Sequence, residues 1–392
     1  MLSVLITIAL KSLLTVNTHV STPFTAAVLG AYVVLLPRRP SPVLAAAVGL
    51  VAGMNAASDP LLWVAGIAPF AIAAAVLLAR SRRTDLTLCA GITIGLAIAA
   101  AIATNVVMHA LDFHILGTDL GLTHVSDIPS NTVNLGRAVA LLGGANYAIP
   151  GPYPHEPFRI LLALLVFAGI LAAVVSPVRA LVRRTETSAL AFASFWGAAV
   201  VLLGIAYVST TQAAAQGAGS VNYLFTLAPA AGAGVGLLAR GSRTAQLAAA
   251  LAIAVVGAIN VAGIVHGRAT TSAGALGAYK QPMMRLLAQK GVARGYAGFF
   301  DASNLTWQSG MRLLVAPVSR CDPDLCTYRF FTIASWFDER PGRSFLLVDP
   351  ERGFLDKPPP VARDASESFR FGPLTVYLFD YDLARRIRPE QQ

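Results

Sequence analysis

Long apolar stretches separated by short polar turns fill the first two thirds of the chain. A helix that crosses a membrane needs about 20 consecutive, mostly apolar residues. By this length rule the pattern predicts about nine transmembrane helices. We place them at residues 1–16, 23–37, 43–58, 60–80, 86–109, 158–177, 187–208, 223–239 and 246–266.

The longest polar interruption among these stretches covers residues 110–157, and a second polar turn lies at 209–222. Within the long loop, residues 131–144 show an amphipathic pattern that Ser130 or Asn131 could cap. This pattern predicts a short helix lying at the membrane surface.

Basic residues follow the second, fourth, sixth and eighth apolar stretches. They are Arg38, Arg39, Arg80, Arg82, Arg83, Arg179, Arg183, Arg184, Arg240 and Arg243. Cytoplasmic loops of membrane proteins carry an excess of Lys and Arg. The pattern therefore predicts a multi-pass protein of the plasma membrane with a cytoplasmic N-terminus, and it places the 110–157 loop and the C-terminal tail outside the cytoplasm.

The tail, residues 267–392, is more polar and changes its periodicity. An amphipathic helix is expected at 278–290, where Gly291 ends it, and a turn with a short helix at 301–310. Short strands are expected at 295–300, 312–318, 344–350 and 373–380. We therefore predict a polytopic α-helical transmembrane domain at 1–266, followed by an extracytoplasmic α/β domain at 267–392.

Composition agrees with a membrane location. Only 13% of the residues are charged and 55% are hydrophobic, whereas an ordinary soluble protein is about 25% charged. The net charge of +10 lies largely in short loops between apolar stretches, where it sets topology. Membrane lipid is therefore an expected partner, and nucleic acid is not.

Two of the three cysteines can pair if the tail faces an oxidising compartment. Cys89 lies in an apolar stretch and is expected to be a small buried hydrophobe. Cys321 and Cys326 form the segment CDPDLC and can close a small disulfide loop. The alternative, a zinc site, needs four ligands, and no His or further Cys lies nearby in the sequence. We predict the disulfide.

Small residues recur at helical spacing in two apolar stretches. Gly49 with Gly53, and Gly232 with Gly236, fit the small-xxx-small pattern that lets helix backbones approach closely in lipid. We predict helix contacts at both pairs.

Carboxylates in the predicted outer layer are the first candidates for chemistry, because a carboxylate at the membrane surface can act as general base on a hydroxyl acceptor. Asp112, Asp119 and Asp127 lie in the long loop, and Asp59 lies in the turn before Pro60. Solvated loop carboxylates are the simpler interpretation for the first three, and capping of the next helix is the simpler one for Asp59.

Two arginines are candidates for binding a phosphate, which a guanidinium can hold with two parallel hydrogen bonds. Arg137 is the only Lys or Arg in the long loop, and Arg159 follows that loop. Either could instead face solvent or lipid headgroups. Three further substrate-binding candidates in the outer layer are His155, Asn222 and Tyr223. No metal site is predicted because the histidine spacings match no compact ligand motif, and a divalent metal requirement is left open.

Four stretches together have a family resemblance. They are LAAAVGLVAGMNAASDPLLWVAGIAPF at 44–70, TVNLGRAVALLGG at 132–144, SVNYLFTLAPAAGAGVGLLA at 220–239 and GVARGYAGFFDASNLTWQSGMRLLVAPV at 291–318. In this order they resemble the later part of bacterial membrane glycosyltransferases of the GT-C class, akin to the protein mannosyltransferase-like and aminoarabinose-transferase-like families.

The resemblance implies a multi-helix membrane domain, a C-terminal extracytoplasmic domain and transfer of a sugar from a polyprenyl-phosphate donor to an acceptor that the sequence does not identify. Such families place an acidic residue in the first outer loop. The corresponding loop here, VNTHVSTPF at 16–24, contains no acidic residue. We therefore expect either that an N-terminal portion carrying the first helix and catalytic loop is missing from this chain, or that the protein is not catalytic. No catalytic residue is carried over.

The leading hypothesis is a GT-C-like glycosyltransferase acting at the extracytoplasmic membrane face, in a complete, truncated or inactive form. It predicts a cavity lined by the 110–157 loop, the 209–222 turn and the tail. The alternative is a non-enzymatic membrane protein, either an envelope assembly partner or a transporter component, whose tail binds a partner. Transporters tend to carry ionisable residues in mid-span, and the apolar stretches across 23–266 carry none clearly there.

Overall fold

The computed structural model describes most of the chain. The described residues are 21–114, 121–142, 156–211, 223–240, 242–248, 250–251, 254, 272–321, 324–329, 332–350 and 355–389. They form two compact units. The first, which we call the apolar unit, contains the described residues of 21–105 and 121–254. The second, which we call the sheet unit, contains 106–114 and the described residues of 272–389.

The predicted apolar stretches from 23–37 through 223–239, including both of these, are all helical. The helices are α1 (Ser21–Leu35), α2 (Pro42–Ser58), α3 (Ala68–Ser81), α4 (Thr84–Ala110), α5 (Ile128–Leu142), α6 (Glu156–Val182), α7 (Thr187–Ser209) and α8 (Leu227–Ala239). A π-helical turn at Trp63–Ile67 leads into α3. The predicted stretch at 1–16, and most of that at 246–266, lie outside the described residues.

Among the described residues, four helices are long and apolar enough to cross a membrane. They are Trp63–Ser81, Thr84–Ala110, Ala163–Val182 and Thr187–Ser209. The helices α1, α2 and α8 are apolar but shorter. The chain is therefore mostly helical, with apolar helices compatible with membrane spans and a sheet near its C-terminus.

Local signals explain where several helices begin and end. The Ser41 hydroxyl accepts a hydrogen bond from the Leu44 amide at 3.3 Å, and Pro42 occupies the first turn of α2, where its missing N–H would have no partner in any case. Arg82 ends α3 in a left-handed conformation with φ of 50°. The amphipathic helix α5 begins at Ile128, so Ser130 and Asn131 lie inside its first turn and the predicted cap at these residues is wrong.

Close packing at glycine joins α2 to α4. A Cβ atom on Gly49 would lie 2.6 Å from the Thr93 carbonyl oxygen, and one on Gly53 would overlap the Ala97 carbonyl group. The backbones of α2 and α4 therefore touch at the predicted glycine pair, and Thr93 adds a hydrogen bond of 3.2 Å to the Ala45 carbonyl. This small-xxx-small prediction is confirmed.

The second glycine prediction is wrong in its register. No atom lies within 4 Å of a Cβ built on Gly232 or Gly236. The close contact between α6 and α8 involves Gly234 instead, whose added Cβ would lie 2.5 Å from the Ala173 nitrogen. Both faces of α8 are small and apolar, so the sequence spacing does not determine which face contacts α6.

The α2–α4 contact gives a first test. We expect Gly53→Ala to lower the stability of the apolar unit by about 1–3 kcal/mol, because the added methyl group overpacks a contact between two backbones. Gly95→Ala is the matched control, since a Cβ there meets open space. Thermal unfolding in mild detergent, followed by circular dichroism, should show a lower midpoint for Gly53→Ala alone. Equal midpoints for the two variants would contradict the close contact.

The second unit is a mixed sheet with helices. Its helices are α9 (Ser272–Gln289) and α10 (Phe299–Gln308). Its strands are β1 (Phe113–His114), β2 (Arg294–Ala297), β3 (Leu314–Cys321), β4 (Asp324–Thr327), β5 (Thr332–Ile333), β6 (Ser344–Val348), β7 (Glu367–Phe371), β8 (Leu374–Phe379) and β9 (Ile387–Arg388). The predicted strands correspond to β2, β3, β6 and β8, and the predicted helices to α9 and α10.

The main sheet has the order β7-β8-β6-β2-β3-β4-β9. Its central strand β2 pairs in parallel with β3 and β6, and α10 connects β2 to β3. Phe345 and Leu347 of β6 pack in one core, whereas Leu346 and Val348 pack in the core on the opposite face. This burial on both faces explains why four successive residues of β6, FLLV at 345–348, are apolar without alternation.

A second, two-stranded sheet contains the beginning of the long polar loop. Phe113 and His114 of β1 pair antiparallel with Ile333 and Thr332 of β5, and the Ala334 amide donates to the Asp112 carbonyl at 3.2 Å. The sequence assigns residues 106–114 to the membrane domain, whereas they group with the sheet unit in the structure. Strands of two residues carry no periodic signal, so this pairing is not predictable from the sequence.

A buried ion pair joins α9 to α10. The Lys280 ammonium lies 3.0 Å from the Asp301 carboxylate, with the side chains 3% and 2% exposed. Removing one member of such a pair leaves an uncompensated buried charge, which typically costs about 3–5 kcal/mol. The pair therefore fixes how these two helices are arranged over the sheet.

We expect Asp301→Asn to lower the free energy of unfolding of the sheet unit by about 3–5 kcal/mol. The control Asp324→Asn breaks the more exposed pair with Arg388 and should have a much smaller effect. Limited proteolysis of the full chain across a urea titration, read at peptides from 272–389, measures both. A double variant, Lys280→Met with Asp301→Leu, should recover most of the loss. If Asp301→Asn costs no more stability than Asp324→Asn, and the double variant recovers nothing, the pair does not stabilise the unit.

Candidate functional site

The long polar loop and the turn after α7 come together in the first unit. The Thr123 amide donates to the Ser209 carbonyl at 2.9 Å, and the Thr211 amide donates to the Gly121 carbonyl at 3.0 Å. Leu122 and Thr210 form the bridge between them. We call residues 121–123 with 209–211 the loop–turn junction. Two polar segments that are far apart in the sequence thus meet beyond the C-terminal end of an apolar helix.

Asn131 anchors α5 to this junction. Its side chain is fully buried, and its amide nitrogen donates to the Val208 carbonyl at 3.0 Å and to the Thr123 hydroxyl at 3.4 Å. Within the described part of the chain, its side-chain oxygen has no hydrogen-bond partner. A buried acceptor left without a partner costs about 1–3 kcal/mol, so a donor from water or from a bound molecule would stabilise this position.

Asn131 was considered in the sequence only as a helix cap, and its inward orientation was missed. A usable signal existed in the spacing of Asn131, Leu135, Ala138 and Leu142, which follow one another at intervals of four, three and four residues. These intervals place them on one helical face. Ala138 is buried, and Leu135 and Leu142 pack against the apolar core.

Asp127 lies beside the junction, just before α5. One carboxylate oxygen accepts a hydrogen bond from the Thr123 hydroxyl at 3.4 Å, and the other accepts one from the Ser126 hydroxyl at 3.3 Å. The carboxylate is half-buried and lies near a helix N-terminus, which favours negative charge. Both of these donors are hydroxyl groups that can rotate, so Asp127 can still exchange one of them for an incoming hydroxyl.

Asp59 is a structural residue in this geometry. It is 2% exposed, accepts a hydrogen bond of 2.5 Å from the Thr22 hydroxyl and accepts one of 3.1 Å from the Leu61 amide. The neighbouring Asn55 donates to Thr25 at 2.8 Å. These bonds tie the end of α2 to the start of α1 and cap the turn that follows, as the simpler interpretation of Asp59 predicts.

The other sequence candidates are dispersed. Asp112 is exposed in the second unit and has a positive φ of 54°. Arg137 is exposed on α5, and Tyr223 is half-buried in the first unit. Arg159 lies in α6, but its side chain is outside the described part. The residues Asp119, His155 and Asn222 lie outside the described residues, so the cavity predicted between loop, turn and tail stays a prediction.

The cysteine pair links the two strands of the β3–β4 hairpin, in the half of the sheet away from β7. Cys321 and Cys326 form a disulfide with their Cα atoms 5.6 Å apart, and it links β3 to β4. Cys89 is a buried free cysteine. Among the described residues no group of three or more His, Cys, Asp or Glu side chains could hold a metal ion, and the metal requirement stays open.

A buried polar network in the second unit was not foreseen from the sequence. The Tyr296 hydroxyl donates to the Asp382 carboxylate at 2.5 Å, and the Arg294 guanidinium lies 3.2 Å from the same carboxylate. Arg294 also donates to the Trp336 and Asp338 carbonyls, each at 2.6 Å. Burial, and then the hydrogen bond to Asp382, raises the pKa of Tyr296. The phenol therefore stays neutral, and the network ties the central strand to two loops.

Comparison with protein-family models, with curated proteins and with solved structures found no match to this chain. The arrangement of the described side chains and the resemblance of the four sequence stretches therefore carry the functional argument.

Proposed function

We propose that this chain is a GT-C-like membrane protein that transfers a sugar from a polyprenyl-phosphate donor at the extracytoplasmic face of the plasma membrane. The observation that carries the proposal is the loop–turn junction. The polar loop folds back onto the ends of apolar helices, where Asn131 and Asp127 lie close to Thr123. A lipid-linked substrate needs its lipid in the apolar phase and its polar head at such a boundary.

In this proposal Asp127 is the general base. The acceptor hydroxyl gives its proton to the Asp127 carboxylate while its oxygen attacks the anomeric carbon of the sugar. The bond between that carbon and the phosphate oxygen breaks, and the polyprenyl phosphate leaves with the electron pair. Arg137 binds the phosphate, since its exposed guanidinium can form two parallel hydrogen bonds to it. Asn131 accepts a hydrogen bond at the junction.

The proposed topology supplies one prediction. Arg137→Cys should react with a membrane-impermeant maleimide in intact cells, whereas Arg183→Cys should react only after permeabilisation. Both arginines are exposed, so burial does not explain a difference. Background labelling of the native cysteines should be low, because Cys89 is buried and Cys321 and Cys326 form a disulfide. The reverse labelling pattern would overturn the extracytoplasmic position of the junction.

A transfer assay tests the chemistry. Membranes that contain the full chain would receive a panel of polyprenyl-phosphate hexoses and pentoses labelled in the sugar. We expect transfer with the natural sequence and a loss of about 10²–10⁴-fold with Asp127→Asn, because the base is removed. Arg137→Ala should raise the KM for the donor, and Arg137→Lys should restore part of it.

The controls for this assay are carboxylates with no role in the proposed step. Asp112→Asn should keep its activity, and so should Asp85→Asn, whose carboxylate pairs with Arg83 at 2.6 Å. Asp119→Asn is a further control in this assay and should also keep its activity. Asp59→Asn should lower the thermal midpoint rather than the rate of the folded protein. Equal activity of Asp127→Asn and the natural sequence would exclude Asp127 as the base.

A second candidate function is a non-enzymatic membrane protein whose sheet domain binds a partner. The observation in its favour is that Asp59, one of the sequence's carboxylate candidates, is fully used in holding helices together. No transfer from any donor in the panel, with correctly folded protein in the membrane, would favour this second function.

A further inference from the structure

One edge of the main sheet is open. Strand β7 is the last strand of the sheet and pairs only with β8 among the described strands. It has five residues, Glu367–Phe371. An edge strand presents a row of backbone N–H and C=O groups that another extended chain can pair with. The opposite end of the sheet differs, because its last strand, β9, has only two residues and pairs with the hairpin of β3 and β4 that the disulfide restrains.

A groove runs between this edge strand and α9. Its volume is about 540 Å³, within the range of roughly 300–1,000 Å³ that is usual for ligand sites. The helix contributes side chains at intervals of three, one and three residues, and the strand contributes three consecutive residues. The lining is Pro282, Arg285, Leu286, Gln289, Phe369, Arg370 and Phe371.

The groove has an apolar floor and a positive rim. Phe369 and Phe371 are half-buried and pack against the core beneath α9. Arg285 and Arg370 are exposed, and neither forms an ion pair with any described residue. No carboxylate among the described residues lines the groove. The rim is therefore complementary to a negatively charged ligand.

The carboxylate on β7 itself does not neutralise this rim. Glu367 of β7 pairs with Lys290 at 2.5 Å and with Arg343 at 3.1 Å. Hydrogen bonds from Lys290 first, and then from Arg343, lower the pKa of Glu367. Its charge is therefore already compensated by two cations, so Arg285 and Arg370 are left to bind an external anion.

We propose that the groove between α9 and β7 binds an extended, acidic polypeptide segment, which joins the sheet as a strand beside β7. Backbone groups of β7 would pair with the segment at the usual strand spacing of about 4.8 Å. Its apolar side chains, at every second position, would pack on Leu286 and the two phenylalanines. Its carboxylates, which alternate with the apolar side chains, would contact Arg370 on the face away from α9. Arg285 on α9 would attract the negative charge of the segment as a whole. A strand between an edge strand and a helix is an established way for proteins to bind peptides.

A peptide explains both the open edge of β7 and the two arginines, whereas an anionic lipid surface explains only the arginines. Lipid headgroups supply charge but no row of backbone donors and acceptors at strand spacing. The two ligands therefore differ in how they depend on the hydrogen bonds of β7. The proposal concerns the sheet unit alone and does not depend on sugar transfer at the loop–turn junction.

The test uses the full chain in lipid nanodiscs and a fluorescein-labelled octapeptide that alternates Glu with Val. We expect binding by fluorescence polarisation, and the double variant Arg285→Glu with Arg370→Glu should weaken it by at least about tenfold, because two attractions become repulsions. Arg312→Glu is the control. This arginine is also exposed in the sheet unit but lies outside the groove, and its replacement should change the affinity less than about twofold.

Two further measurements separate strand pairing from charge alone. Hydrogen exchange of the β7 amides should slow when the Glu–Val peptide binds. Two further peptides carry N-methyl groups at alternate residues, one at the odd and one at the even positions. Only one of them loses the N–H groups that face β7, so it should bind at least about tenfold more weakly than the other. A Lys–Val peptide should not bind.

Any of three results would overturn the proposal. The first is no binding of the Glu–Val peptide to the natural sequence. The second is equal binding by the two N-methylated peptides, which would reduce the site to a charged surface. The third is binding of the protein to phosphatidylglycerol vesicles that the double arginine variant weakens as much as it weakens peptide binding. That result would favour a lipid surface as the ligand.

Discussion

The apolar unit depends on helix backbones that approach each other closely at small residues. Its helices are compatible with membrane spans, and helices in lipid associate through van der Waals packing and a few hydrogen bonds. Gly53 against Ala97 joins α2 to α4, and Gly234 against Ala173 joins α6 to α8. Both contacts place backbone against backbone. The polar ends of the helices are therefore held at fixed positions, which is what a site built from loops requires.

Polar groups inside this unit mostly satisfy one another. Thr22 bonds to Asp59, Asn55 bonds to Thr25, and each pair joins two helix ends. Burial makes an unpaired polar group expensive, so these groups belong to the framework rather than to a reaction. Within the described residues of this unit the exceptions, each with a buried polar atom that has no hydrogen-bond partner, are Tyr32, Trp196, Thr226 and Asn131. Of these, Asn131 is the one whose side chain bonds to the loop–turn junction. For this reason the loop–turn junction, and not the Asp59 cluster, is the better candidate for binding.

The sheet unit follows the rules of soluble proteins. Its centre is apolar on both faces, and the buried charges of Lys280 and Asp301 pair with each other. Its two edges differ. One ends in the two-residue strand β9 next to the disulfide hairpin. The other ends in β7, beside a groove whose two arginines form no ion pair with the described residues. Such a difference between edges is what a domain needs if it is to offer one surface to a partner and protect the other from unwanted pairing.

The sequence alone determined the long elements. Apolar length predicted the helices, periodicity predicted β2, β3, β6 and β8, and cysteine spacing indicated the disulfide, because each signal extends over several residues of one segment. Only the tertiary structure decided which faces meet. It placed Gly234 rather than Gly232 in the helix contact, turned Asn131 inward and paired the two-residue strand β1 with β5. Helices that are apolar all round do not encode their contact face, and very short strands gain their stability only from the partner that pairs with them.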